Sequence, residues 1–467
     1  MSTQRSTSRL GRSLPVPVLA LQLLAAACGG ESSSPTEPGA SSSASGSEQV
    51  ASGGKQGRKE SVSRRAHNQW AEALKLFKSY DPKDWNDAHC DEVSGKFEGA
   101  ASVQPKFTEA LYMAGLSQER CGRREKAQSF YDQALRANPK FCKARVAIGL
   151  NQLTSGQGAS SAEREFAQAV SDDPQCTEGY VNLAILQRKR GPSGNGEALS
   201  NLRRALAIDA QYLPAFNEMA LLYLAEAADN EKKLDLAEVV CSQAQKINAS
   251  YAPVYNTWGL VDLRRGKIID AAAKFQRASE LDDKIFEAHM NFARITIGFR
   301  GYQDAKTAYE HALSLQPSNF EAQLGLGVAL RGLEENAKAQ EAYEKATKLQ
   351  PNRPEPYYNL GVLYQDFQGG SADEMKKAKS YYEEFLSRAG GDKRFAAATE
   401  DIQRKCKQEG KRKQGKNACV AGRLQNIQLY LDTMKQMQEM EKMQKEQEKQ
   451  AAELEAQEKA AAAPAAK

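Results

Sequence analysis

The chain is 467 residues long, 41% hydrophobic and 26% charged, with a formal net charge of +5. Three of the positive charges, Arg5, Arg9 and Arg12, lie within residues 1–27, which hold no acid, so a chain cleaved there keeps about +2. A surface that neutralises phosphates needs a larger or better segregated excess, which excludes nucleic acid as the expected partner. Beyond residue 27 no stretch reaches the ~18 consecutive apolar residues of a membrane-spanning helix, which excludes an integral helical bundle.

The three arginines precede an apolar run from Leu14 to Ala27 that ends Leu24-Ala25-Ala26-Ala27-Cys28-Gly29. Charged, apolar and small-residue zones in that order predict a signal peptide over 1–27. The segment resembles bacterial lipoprotein signals, although Leu24 stands four places before Cys28 and the preferred leucine stands three before. The resemblance implies cleavage before Cys28, lipid attached to Cys28 and, with Gly29 following, sorting to the outer membrane with the chain facing the periplasm. Residues 28–62 are mostly Ser, Gly, Ala and Glu, with too little apolar surface to offset the entropy of ordering, so they are expected to form a flexible tether. Such a segment of ~34 residues has a mean span on the order of 30 Å and a stretched limit of about 110 Å.

Residues 63–106 read as a degenerate helical unit, and from 107 to 389 one pattern recurs eight times. With Thr108 as place one, Gly115 stands at place eight, Ala127 at twenty, Tyr131 at twenty-four, Ala134 at twenty-seven and Pro139 at thirty-two. The pattern returns with a period of 34 as Gly259, Ala271, Phe275, Ala278; as Ala293, Ala305, Tyr309, Ala312, Pro317; and as Gly327, Ala339, Tyr343, Ala346, Pro351. Copies stretched by inserts near Gly156, Gly191, Asp229 and Gly369 carry Gly149, Ala162 and Phe166; Ala184, Ala198 and Leu202; Ala220, Ala237 and Cys241; and Gly361, Ala378 and Tyr382. Small residues at eight and twenty let two helices approach, the aromatic at twenty-four is expected to fill space toward the next unit, and proline stops the second helix. The inserts fall between the helices of a pair and are expected to lengthen turns.

These residues and this period resemble the tetratricopeptide repeat, a helix-turn-helix unit that cannot bury its apolar face alone and stacks into arrays. The resemblance implies an all-α fold, a right-handed superhelical solenoid of tetratricopeptide helix pairs with helical caps. It also implies a concave groove lined by the first helices. At places five and nine that lining reads Tyr112 and Leu116, Val146 and Leu150, Val181 and Ile185, Asn217 and Leu221, Asn256 and Leu260, Met290 and Arg294, Leu324 and Val328, Tyr358 and Val362. A mostly apolar stripe with amides midway suits an extended peptide or an amphipathic helix. Part of it is equally compatible with helix-packing core. Asn182, Asn291 and Asn359 recur at place six without a matching set of Lys and Arg, so the carboxylate clamp of some relatives is not reproduced.

Seven cysteines follow Cys28. Cys90, near the start of the second helix of the degenerate unit, and Cys121, near the end of the next first helix, are brought together by antiparallel packing. Cys406 and Cys419 bracket a basic stretch, Lys407 to Lys416, and are the second candidate pair. Cys142 and Cys176 start neighbouring first helices, a separation that reads as too wide to bridge. Cys241 occupies the aromatic place and reads as a buried thiol. An exported chain permits disulfides, and free cysteines throughout remain the alternative.

No arrangement advertises catalysis or a cofactor. The four histidines, His67, His89, His289 and His311, show no metal-ligand spacing. The glycine-rich segment Gly191-Pro192-Ser193-Gly194-Asn195-Gly196 matches no phosphate loop and reads as a loop. Carboxylates sit at helical spacing from Lys and Arg, as on any solvated helix face.

Residues 390–417 read as a helix, Phe395 to Gln408, running into a basic linker that suits either solvent or an anionic surface. From 418 to 467, Leu424, Ile427, Leu431 and Met434 describe an amphipathic helix expected to cap the last repeat. Met437, Met440 and Met443 continue it at three-residue steps, and the polar remainder projects or frays.

The expected function is that of a non-enzymatic, membrane-tethered scaffold binding protein partners within a cell-envelope machine for motility, secretion or pilus assembly. The chain resembles, in its general repeat residues, the repeat lipoproteins of myxobacterial gliding machinery. An accessory lipoprotein that regulates a cell-wall or polysaccharide enzyme is the alternative.

Overall fold

The computed structural model describes residues 63–80, 85–154, 158–367, 371–390 and 420–461. The expected signal peptide, Cys28, the tether, the Phe395 to Gln408 helix, the basic linker, Cys406 and Cys419 lie outside these residues. Among the described residues every regular element is helical and no strand occurs. None of the helices is long and apolar enough to cross a membrane. The chain divides into two compact units, whose described residues are 63–282 and 283–461.

The first unit contains α1 (Arg64–Ser79), α2 (Asp87–Val103), α3 (Thr108–Glu119), α4 (Arg124–Ala137), α5 (Cys142–Thr154), α6 (Ala159–Asp172), α7 (Thr177–Lys189), α8 (Pro192–Ile208), α9 (Leu213–Glu226), α10 (Lys233–Ile247), α11 (Ala252–Arg264) and α12 (Ile268–Leu281). The second contains α13 (Phe286–Gly298), α14 (Tyr302–Leu315), α15 (Phe320–Gly332), α16 (Asn336–Leu349), α17 (Glu355–Val362), α18 (Ala372–Ala389) and α19 (Val420–Ala461). A π-helical turn, Leu363–Phe367, extends α17. From α3 onward the helices pack in successive pairs, and first helices also touch the next first helix, as α5 does α7 and α7 does α9. The architecture is that of stacked tetratricopeptide-type helix pairs.

The small and aromatic places explain the pairing, with one change to the expectation. A Cβ on Gly115 would lie 2.3 Å from the Tyr131 ring, and on Gly149, 2.4 Å from the Phe166 ring. The same holds for Gly259 against Phe275, Gly327 against Tyr343 and Gly361 against Tyr382. The aromatic at place twenty-four therefore fills space inside its own pair, over the glycine at place eight. Tyr309 is different: its pair has Ala293 at place eight, and its ring reaches Gly325 on the next unit, 2.2 Å from where a Cβ would stand. The alanines at place twenty, from Ala127 to Ala378, are buried.

Second helices end by a device that proline only accompanies. Asn138, Asp173, Asp209 and Asn248 each follow the last helical residue, and their side-chain oxygens accept from the backbone N–H two residues on, at 2.8–3.1 Å. Asp209 and Asn248 do this with alanine where other copies have proline. An Asx turn satisfies local backbone donors and competes with helix continuation, so it ends the helix without help. A second recurrent bond closes the turn: Tyr255, His289 and Tyr357, all at place four, approach the carbonyl six residues back at 2.9, 2.9 and 3.2 Å.

The segment Gly191–Gly196 is not a loop. Gly191 takes a positive φ of 77°, Pro192 occupies the first helical position, and the insert is absorbed as an extra turn at the start of α8. Proline is preorganised for that position, and glycine at 194 lets the turn close on the Gln187 carbonyl, where a Cβ would lie 2.0 Å away. The insert near Asp229 does lengthen a turn, between α9 and α10.

The first turns of α19 cap the second unit as expected. Ile427 is 1% exposed in a cluster with Tyr382, Phe385 and Val362, and Leu424 and Leu431 pack on its edge. Arg423 donates to Gln365 and Asp366 of the preceding repeat at 2.6–3.0 Å. Farther along, Met437, Met440 and Met443 are exposed.

Candidate protein-interaction face

The expected groove residues divide by depth. Val146, Val181, Met290 and Val362 are buried and serve packing between helices, so they offer almost nothing to a partner. Tyr112, Leu116, Leu150, Ile185, Asn217, Leu221, Asn256, Leu260, Leu324, Val328 and Tyr358 are half-buried, and Arg294 is exposed. Place nine is the consistent line: Leu116, Leu150, Ile185, Leu221 and Leu260 come from five successive first helices of the first unit, each with its flank covered and its remaining surface open. Residues in this state lose little side-chain entropy on docking because their rotamers are already restricted by neighbours.

Polar side chains around that line are occupied in joining first helices. Arg188, at place twelve, donates from Nε and Nη2 to Glu218 at place six of the next unit, at 3.1 and 2.9 Å. Arg331 and Asn359 repeat the relation in the second unit at 3.2 Å, and Thr257 Oγ1 donates to Asn217 at 2.7 Å. Two of the recurring asparagines at place six, Asn182 and Asn359, bond within their own helix, donating to the carbonyl four residues back at 2.8 and 3.1 Å.

Cysteine placement departs from the sequence reading in one pair. Cys90 and Cys121 are joined, with Cα atoms 6.4 Å apart, and Cys142 and Cys176 are also joined, at 5.7 Å. The second pair reads as too distant in the sequence because both residues start first helices. Cys176, however, stands one place earlier in its unit and caps α7, whereas Cys142 is the first residue of α5. A capping residue lies off the helix axis in the preceding turn, and that offset brings the sulfurs together. Cys241 is a buried thiol, pushed up to about 12 by burial, and so is protonated and inert at neutral pH. Among the described residues, the grouping of metal-ligand types within reach of one another is Cys142, Cys176 and Glu178, and its two sulfurs are bonded to each other.

The histidines carry no mutual signal in the sequence, but His289 and His311 come together. Their rings are 4.2 Å apart, and both Nε2 atoms lie within 2.9 Å of the Asp283 carbonyl. The place-four bond to the turn carbonyl, shared with Tyr255 and Tyr357, accounts for His289; no spacing marks His311 as its neighbour.

One buried carboxylate gives a pH-dependent prediction. Asp262 is 3% exposed on α11, with Lys274 Nζ 3.4 Å from its Oδ2. Burial raises its pKa above the ordinary carboxylate range, and Lys274 offsets only part of that. The folded chain therefore holds this proton more tightly than the unfolded one. The resulting stability is fully present below the ordinary value and is lost as pH rises through the folded value. Asp262→Asn removes the titration, so its unfolding free energy relative to the parent should increase from about pH 4 to about pH 7. Urea unfolding across that range checks this; a difference that stays flat or shrinks rejects it.

Two segments match known repeat families. Residues 108–141 match the tetratricopeptide repeat and residues 329–366 the TPR repeat, one in each unit. The chain carries tetratricopeptide repeats. Similar solved structures include the APC/C hetero-tetramer Cut9–Hcn1, with a TM-score of 0.49 and 15% identity, covering 63% of this chain and 55% of that one. The chain thus spans little more than half the length of that relative. The human IFIT1 dimer with PPP-AAAA gives a TM-score of 0.44 and 18% identity over 70% and 73% of the two chains. Pseudomonas aeruginosa pilF gives 0.38 and 20% over 46% and 94%. No curated protein matches the sequence.

Proposed function

We propose that this chain is a membrane-tethered scaffold that gathers protein partners of the cell envelope, in a machine of the motility, secretion or pilus type, and acts by contact and not by turnover. The observation that carries the reading is the continuous line of half-buried aliphatic residues at place nine, presented by successive first helices held in fixed register by Arg188–Glu218 and Thr257–Asn217. A regular row of aliphatic side chains suits the apolar stripe of a peptide or helix laid across the repeats. The envelope location rests on the signal-like residues 1–27 and on Cys28, and two cysteine pairs at bonding distance suit an oxidising compartment.

Cross-linking in intact cells tests the assignment: motor, channel or pilus subunits as neighbours support it, and wall synthases or hydrolases favour regulation of an enzyme instead. For the anchor, Cys28→Ser should move the protein from the membrane fraction to the soluble fraction on cell breakage. Undiminished membrane retention of that variant rejects lipid attachment at Cys28.

A further inference from the structure

The two disulfides are not spread through the fold. Both lie in the N-terminal part of the first unit, joining α2 to the end of α3 and the start of α5 to the cap of α7. The other described cysteine, Cys241 on α10, is unpaired. Arrays of this kind hold together through contacts between neighbours, so they come apart most readily from an end, one repeat at a time. A chain held by its N-terminus receives tension first at α1, and peeling of α1 leads directly to Cys90.

We infer that Cys90–Cys121 and Cys142–Cys176 form a redox-set clamp that keeps the repeats nearest the N-terminus from being pulled out under tension. The source of the tension rests on the proposed N-terminal tether; the clamp itself rests on the positions of the sulfurs. A pull entering at Cys90 passes through the sulfurs to Cys121, so α3 and most of α2 lie outside the stretched path. A pull reaching Cys142 passes to Cys176, and all of repeat two is bypassed. The bridged segments have sequence separations of 31 and 34. At ~3.3–3.6 Å per residue they hide about 100 and about 110 Å of chain from extension.

The clamp is set by thiol–disulfide exchange. An external dithiol attacks one sulfur as its thiolate and forms a mixed disulfide, and its second thiol then expels the remaining protein sulfur. Two electrons and two protons pass to the protein, which ends with two thiols, while the dithiol leaves as a cyclic disulfide. Closing the clamp is the reverse exchange, with a disulfide-bearing oxidoreductase of the export compartment as oxidant.

The test is single-molecule pulling of the full-length chain between its two ends, without and with dithiothreitol. The oxidised chain should reach a fully extended length shorter by roughly 210 Å, and reduction should release that length. When oxidised, α3, α5 and α6 should contribute no unfolding steps, and on reduction each should add its own. Equal lengths in the two states overturn the inference, as does a length gain on reduction without added unfolding steps. Reducing the unsubstituted protein supplies the comparison even if Cys90→Ser or Cys142→Ser variants misfold. Failure of the clamp leaves partner capture and Cys28→Ser fractionation free to stand, and failure of either of those leaves the length measurement unaffected.

Discussion

Gly259→Ala should destabilise the first unit by about 1–3 kcal/mol, and pairing it with Phe275→Leu should recover part of the loss. The added Cβ would stand 2.7, 2.8 and 3.0 Å from Cε1, Cδ1 and Cζ of Phe275, closer than carbon atoms tolerate. Phe275 is fully buried and has no free direction in which to retreat. The helices must then separate, and every contact between α11 and α12 weakens together.

The chain itself contains the compensated combination. Where place eight is alanine, at Ala184 and Ala220, place twenty-four carries Leu202 and Cys241, and both are buried. Ala293 is the informative exception: it faces Tyr309, and that ring leans onto Gly325 of the following unit. The two places are thus one volume shared between two side chains, with a neighbouring glycine as a further outlet. Phe275→Leu alone removes buried ring atoms and should cost about 1–3 kcal/mol. The double variant should cost less than the two single effects combined, by about 1 kcal/mol or more, because residues in contact do not act independently. Urea unfolding of the four proteins checks this, and simple additivity would mean that the glycine is not there to admit the ring.

The pairing of helices is legible in the sequence because period and residue size are both visible there, but the partner of the aromatic is not: the sequence points it toward the next unit, and Phe275 instead covers Gly259 of its own pair. Small residues returning at eight and twenty, with an aromatic at twenty-four, specify which helices pair before any coordinate is known. Depth is another matter. Places five and nine share a face, yet Val146 and Val181 are buried while Leu150 and Ile185 keep open surface. Periodicity gives the direction of a side chain from its helix, and burial depends also on how the next helix crosses it. The glycine-rich insert before Ala198 misleads for a related reason: composition favours a loop, but Pro192 starts a helix and packing against Gln187 holds it. Cys142–Cys176 turns on a shift of one place in register, smaller than the uncertainty of any helix start read from sequence.

The face itself is tested by placing charge on its open line. Leu150→Glu, Ile185→Glu and Leu221→Glu together should leave helix content intact by circular dichroism while partner binding falls by about a thousandfold or more. Each aliphatic side chain that docks contributes roughly 1.5 kcal/mol, and three give about 4.5 kcal/mol, which is about three orders of magnitude in affinity. Burying an unpaired carboxylate against an apolar partner adds to the loss. The fold tolerates the changes because all three residues keep part of their surface in water, unlike Val146 and Val181, where the same substitution would bury a charge between helices. A matched variant, Ala167→Glu, Ser200→Glu and Gln243→Glu, puts the same charge on exposed places of α6, α8 and α10. Partners identified by cross-linking to the parent, then measured directly against both triples, separate a docking face from a general effect of charge. Equal affinity for parent and ladder variant, or equal loss in the two triples, would remove the first helices as the binding surface. Loss confined to the ladder places the partner along α5, α7 and α9, with its apolar side chains spaced to meet one helix after another.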